Sequence, residues 1–238
     1  MAHVGLFVPC YLAALRPADR QHATRVLEAL GDTVVGIEGY CCGQPAFNSG
    51  FRDDARKVTR EALRAAQPFS TVVVLSGSCT SMVQHYAPML WDGPRSTAVQ
   101  RIGERFFEFT QYVAGHSHLG DLGLRLAETV AYHDSCHNRR ELQGTEVVVS
   151  LLESIEGLDL RRLQYEEECC GFGGTFNLKF PVVAGGMAGS KLADVRATGA
   201  PTLVSTDVSC LTHLERASGG EMPEALSIAE LLARALPE

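Results

Sequence analysis

CCGQPAFNSG, residues 41–50, and CCGFGGTFN, residues 169–177, are two versions of one phrase. Each opens on adjacent cysteines and a glycine, and each goes on to a Phe-Asn pair, Phe47-Asn48 and Phe176-Asn177. Working outward, each vicinal pair is flanked by one more cysteine on either side: Cys10 and Cys79 around Cys41 and Cys42, Cys136 and Cys210 around Cys169 and Cys170. These positions use all eight cysteines of the 238-residue chain. The spacings agree closely. Cys10 to Cys41 is 31 positions against 33 for Cys136 to Cys169, and Cys42 to Cys79 is 37 against 40 for Cys170 to Cys210. The chain reads as an internal duplication, with a first repeat and its linker over residues 1–120 and a second repeat over 121–238.

The hydrophobic pattern repeats with the cysteines. Short apolar runs at Val4–Val8, Thr33–Ile37 and Val72–Leu75 predict strands in the first half, and runs at 129–132, 158–163 and 202–205 predict strands in the second. Helical periodicity falls between them at 17–30, 52–66, 146–155 and 182–198. Strands alternating with helices imply an α/β fold in which each repeat is a small, mostly parallel sheet with flanking helices. Ligands in such folds collect at the carboxyl ends of strands. Cys10, Cys79, Cys136 and Cys210 each follow a predicted strand, so each half is expected to gather its four thiols at one rim. Phe106, Phe107 and Phe109 read as part of a helix-like segment linking the repeats.

Bulk properties narrow the function. A net charge of −7 with scattered basic residues excludes the concentrated positive stripe of a nucleic-acid surface. No run approaches the roughly 18 apolar residues that predict a membrane-spanning helix. The N-terminus lacks the pattern of a secretory signal, so a cytoplasmic location is expected. Thiols there are kept reduced, and a vicinal pair makes a strained disulfide ring, so the cysteines are expected to be metal ligands, catalytic groups or buried apolar residues.

Thiolates suit zinc and iron-sulfur clusters. Structural zinc sites usually draw on paired Cys-x2-Cys knuckles, and none occurs here. Widely separated loops plus a vicinal pair suit a cluster with several irons better than one small tetrahedral ion. The expected ligands are therefore Cys10, Cys41, Cys42 and Cys79 in one half and Cys136, Cys169, Cys170 and Cys210 in the other. One or two iron-sulfur clusters per chain are expected, most simply [4Fe-4S], with zinc as a substitute.

The stretches CCGQPAFNSG, SGSC (76–79), YHDSCHNRREL (132–142), CCGFGGTF and STDVSC (205–210) resemble the lactate utilization protein A family. The repeated pattern is also similar to the cysteine-rich CCG domain of heterodisulfide reductase and of the iron-sulfur component of glycolate oxidase. The resemblance implies two CCG repeats, an iron-sulfur protein needed to oxidise L-lactate to pyruvate, and two partners, lactate utilization proteins B and C. The wider family adds a fifth thiol in a terminal Cys-x2-Cys. The matching positions here are Met82 and His213. Met82 reads as a packing residue, and His213 as a possible ligand, a hydrogen-bond donor near the ligands or a helix-surface group.

Gly43, Gly171, Gly173 and Gly174 would let the backbone pass close to a cluster. His133 and His137 bracket Cys136. They could bind metal, move protons or hydrogen-bond a cluster, and they make the second half the expected place for chemistry beyond electron storage. Arg139 and Arg140 could receive a substrate carboxylate or serve as surface charges. No Ser/His/Asp set and no flavin or nicotinamide motif is visible. The reading favoured is an electron-transfer subunit of an L-lactate-oxidising system. Two alternatives remain open: a cluster-based oxidoreductase acting on another 2-hydroxy acid or a disulfide, and a zinc-binding structural or interaction protein. A homo-oligomer is compatible with each.

Overall fold

A run such as Thr71–Val74 or Thr202–Ser205 has no polar alternation, so it must be covered on both faces. The computed structural model, which describes residues 3–237, meets that need with two parallel four-stranded sheets. In the first, β1 (His3–Phe7), β2 (Thr33–Ile37), β3 (Thr71–Val74) and β4 (Phe106–Glu108) lie in the order β2-β1-β3-β4. In the second, β5 (Thr129–His133), β6 (Asp159–Arg162), β7 (Thr202–Ser205) and β8 (Glu224–Ser227) repeat it as β6-β5-β7-β8. The first half carries helices α1 (Cys10–Leu15), α2 (Asp19–Ala29), α3 (Gln44–Asn48), α4 (Arg52–Ala66), α5 (Gly77–Ser81), α6 (Pro94–Gly103) and α7 (Phe109–Ala114). The second carries α8 (Cys136–Arg140), α9 (Thr145–Glu153), α10 (Phe176–Lys179), α11 (Pro181–Ala197), α12 (Val208–Ser218) and α13 (Ile228–Ala235).

All six expected strands and all four expected helices are present, within a residue or two at their ends. One expectation fails. Phe106 and Phe107 belong to β4, and only Phe109 begins a helix. With three residues, β4 is too short to show a period of two, and its pairing with β3 is what makes it a strand. Its counterpart β8, Glu-Ala-Leu-Ser, carries no β-branched residue to announce it.

In each sheet the chain runs from the first strand to one edge and from the third strand to the other. The connections leaving β1 and β3 thus diverge, and a crevice opens between their carboxyl ends; β5 and β7 repeat this.

Alternate residues of the strands face two ways. Val4, Leu6 and Val73 of the first sheet and Val130, Tyr132, Val204 and Leu226 of the second enter one shared core. Helices α2, α7, α9 and α13 fill the space between, with α2 packed on α13 and α7 on α9. Since α9 and α13 repeat α2 and α7, this interface is a self-complementary one, as in a two-fold dimer. The outer faces form separate cores, one with α4 and one with α11 and α12.

Leu232 of α13 is fully buried in the shared core, whereas Trp91 packs against the outer core of the first half. Leu232→Ala is expected to destabilise by about 2–5 kcal/mol. The loss should appear equally in Trp91 fluorescence and in circular dichroism during urea unfolding. An unshifted Trp91 midpoint would show that the halves unfold separately.

Glu108 is buried at the end of β4 and caps α7, accepting the N–H groups of Thr110 at 2.7 Å and Gln111 at 3.3 Å together with the Thr110 hydroxyl. Desolvation pushes its carboxyl from the ordinary 4.5 up to about 7. A raised folded value means a contribution fully present below the unfolded value and lost as pH rises through about 7. Between pH 4.5 and pH 8, the stability difference between Glu108→Gln and wild type should therefore swing by about 3 kcal/mol in favour of the variant. Equal urea midpoint differences at the two pH values would refute the shift.

Candidate metal centres

Cys10 opens α1 immediately after β1, and Cys79 lies in the first turn of α5 after β3. They stand on the two sides of the crevice. Cys136 at the start of α8 and Cys210 in the first turn of α12 take the same places in the second sheet. Ser76 and Ser135 fix two of these turns as caps, accepting the N–H of Cys79 and of Asn138, each at 3.3 Å.

The vicinal pairs reach the same rims from the strands β2 and β6. Gly43 (φ 92°) and Gly171 (φ 89°) then turn the chain in the left-handed region. A Cβ on Gly171 would lie 2.7 Å from the Ala184 carbonyl oxygen, and one on Gly43 would collide with the Thr59 hydroxyl. The turn aims each glycine N–H back at the first cysteine of its pair, Gly43 to Cys41 Sγ at 3.5 Å and Gly171 to Cys169 Sγ at 3.4 Å. The thiols are then in hydrogen-bond contact in sequence: Cys10, Cys41, Cys42, Cys79, and likewise Cys136, Cys169, Cys170, Cys210. Hydrogen bonds from Cys10 and Cys42 hold Cys41 well below the ordinary thiol value, and those from Cys136 and Cys170 do the same for Cys169. Cys10 and Cys136 are pushed up in return by the same bonds and by burial. None of the eight is in a disulfide.

The second set has an additional neighbour. His133 ends β5 at 1% exposure, and a ring nitrogen of His133 and the sulfurs of Cys170 and Cys210 lie within 4.8 Å of one another. Desolvation, then the charge of Lys191, pushes this imidazole down to about 4, so it is neutral. Four converging thiols, one thiolate already favoured in each set and a close glycine backbone fit a thiolate-bound metal group.

The cysteine-rich CCG domain family matches residues 4–84 and again 130–215. Lactate utilization protein A of Shouchella clausii is 36% identical over 236 residues, covering 97% of this chain and 98% of that protein. Lactate utilization protein A 1 of Bacillus anthracis is 33% identical over 242 residues, with 98% of each chain covered. The chain belongs to the lactate utilization protein A family. A crystal structure of a hypothetical protein from Helicobacter pylori shares the fold at a TM-score of 0.66 and 12% identity, covering 99% of this chain. The chain spans about half of that structure's length, 49%.

In this family member the two thiol sets are tied together. Helix α5 packs on α8 across the halves. Asp207, the cap of α12, accepts the N–H of Ser78 at 3.0 Å and the hydroxyl of Ser76 at 3.4 Å. The Gln44 amide of α3 donates to the Ser78 carbonyl at 3.3 Å and to His137 Nε2 at 3.0 Å. His137 is thereby left with its proton on Nδ1, 3.6 Å from Cys136 Sγ. This imidazole orients a thiol from outside.

Other sequence candidates are placed differently. Arg139 is paired with buried Asp134 at 3.2 Å and with Glu166 at 3.0 Å, so it braces the Cys136 loop and is not a free carboxylate receptor. Arg140 is exposed. Met82 is fully buried in the outer core of the first half. His213 stacks against Phe172, with ring centroids 6.1 Å apart, and does not join the His133 group. A cavity of about 390 Å³ lies against the first set, lined by Cys10, Cys41, Cys42 and Cys79 on one side and by Phe172, Asp207 and Arg216 of the second half on the other. The histidines point to the second half for chemistry, yet this cavity opens on the first. The sequence signal for His133 lies in the repeat itself: it aligns with Phe7, three positions before the corresponding cysteine.

Gly171→Ala is expected to force the turn open and reduce the metal content of the purified protein by about one site, leaving the first site loaded. Unchanged metal content in the variant would show that the turn is not needed.

Proposed function

We propose that this chain is an iron-sulfur electron-transfer subunit of an L-lactate-oxidising system. Cys10, Cys41, Cys42 and Cys79 would hold one cluster, and Cys136, Cys169, Cys170 and Cys210 a second, each most simply [4Fe-4S]. The observation that carries the reading is the convergence of four thiols at the switch point of each sheet. Clusters of this kind, when bound, take up and pass on one electron at a time. The protein's own part is to hold the thiolates, supply N–H donors from Gly43 and Gly171, and keep Cys42, Cys79, Cys170 and Cys210 buried from water. Lactate to pyruvate releases two electrons and two protons, so a partner must carry out the bond chemistry at lactate. Lactate utilization proteins B and C are the partners proposed, in keeping with the name of the relatives.

The cavity against the first thiol set supports a second reading, in which the chain itself acts on a 2-hydroxy acid or a disulfide. That reading requires a spectral change when the substrate meets the isolated chain.

Anaerobically prepared protein is expected to contain iron and acid-labile sulfide at more than one iron per chain, with zinc low. Cys42→Ala and Cys170→Ala should each remove one of two electron paramagnetic resonance signals. Less than one iron per chain, or stoichiometric zinc without iron, would sink the proposal.

A further inference from the structure

The two centres differ at one strand position. His133 sits where Phe7 sits in the first half, counted back from Cys136 and Cys10. Phe7 does what an apolar residue should: it is buried in the outer core and its ring meets Phe106 at 6.3 Å. His133 occupies the same buried place with two polar nitrogens, and neither has a hydrogen-bond partner among the described residues. An imidazole buried with both nitrogens unpaired is rare, because each lost hydrogen bond costs about 1–3 kcal/mol. A fold able to place phenylalanine at this position has no packing reason to place histidine there.

The surroundings say what the nitrogen is for. A ring nitrogen, Cys170 Sγ and Cys210 Sγ lie within 4.8 Å of one another, all three residues buried. The first half offers no such nitrogen, since Phe7 cannot supply one. The neighbouring helix differs in the same sense. Counting from the alanines that crowd the two glycines, Ala55 and Ala184, Lys191 of α11 matches Ala62 of α4. Lys191 is fully buried, donates to the Tyr165 carbonyl and lies 3.8 Å from Asp194. The second site is thus built with a buried imidazole nitrogen and a buried lysine, where the matching positions of the first hold Phe7 and Ala62.

We infer that His133 is a direct ligand of the metal group in the second half, taking the place of one of its four thiolates, so that the chain holds one all-thiolate site and one mixed thiolate–imidazole site. The inference rests on the cluster reading above and refines it. Replacing anionic sulfur character with neutral nitrogen raises a cluster's reduction potential. The second site is therefore the one that accepts electrons more readily.

The test uses the full chain, loaded with 57Fe and sulfide under anaerobic conditions and partly reduced. Pulsed electron paramagnetic resonance should detect a histidine nitrogen coupled to one cluster, and Mössbauer spectra should show a distinct iron subsite. Both features should vanish in His133→Phe, a variant that copies the residue of the first half and is expected to fold. They should persist in His213→Phe. The second-site midpoint potential should fall in His133→Phe while the first stays unchanged. Loss of the coupling in His213→Phe in place of His133→Phe overturns the assignment. Full retention of the coupling and subsite in His133→Gln also overturns it, reducing His133 to a hydrogen-bond donor. Iron present without nitrogen coupling or a distinct subsite sinks this inference alone, whereas a chain that takes up no iron sinks the cluster reading and this inference together.

Discussion

Parallel strands whose following connections run to opposite edges cannot close over the gap between their carboxyl ends. That gap is the constraint on which both thiol sets depend. Cys10 and Cys79 are the first residues able to face it from its two sides, and Cys136 and Cys210 repeat the arrangement. The vicinal pair must then arrive from the neighbouring strand and turn sharply inward, which Gly43 and Gly171 allow at φ 92° and 89°. Four positions far apart in sequence become one set of thiols because sheet topology brings them together.

Around that common plan the halves have taken different chemistry. In the first, two of the buried positions near the thiols are hydrocarbon, Phe7 and Ala62. In the second, His133 and Lys191 are buried in their stead. Taking an ammonium and an imidazole out of water is costly unless something nearby repays it. Asp194 and the Tyr165 carbonyl answer the ammonium. The imidazole has no hydrogen-bond partner among the described residues, and the sulfurs of Cys170 and Cys210 are its polar neighbours. The contrast gives the two rims different electrostatic character although their backbones trace the same path.

The duplication, the central strands and the long helices are legible in sequence, because their signals are local. Val72–Leu75 can only be a buried strand, and Arg52–Ala66 carries its own helical period. The edge strands β4 and β8 are not legible, since three or four residues hold too little pattern and their pairing partner decides them. Phe106 and Phe107 show this, reading as helical until β3 is placed beside them. The thiol sets are legible from repeated spacing. The part played by His133 stays open in the sequence because a histidine's partner lies across space: Cys170 and Cys210 are 37 and 77 positions away. His213 shares a spacing with the wider family, but it stacks on Phe172.

The paired helices at the centre, α2 on α13 and α7 on α9, have one more consequence. In an assembly of two identical chains joined this way, every substitution would appear twice, once in each copy. A histidine favourable at one rim would be imposed on the other, where the space is hydrocarbon. Joining the copies into one polypeptide keeps the geometry of a pair while removing its enforced sameness. The link also holds the partners at high effective concentration whatever changes at their rims. Covalent fusion is what permits Phe7 and His133 to stand at equivalent points of one molecule.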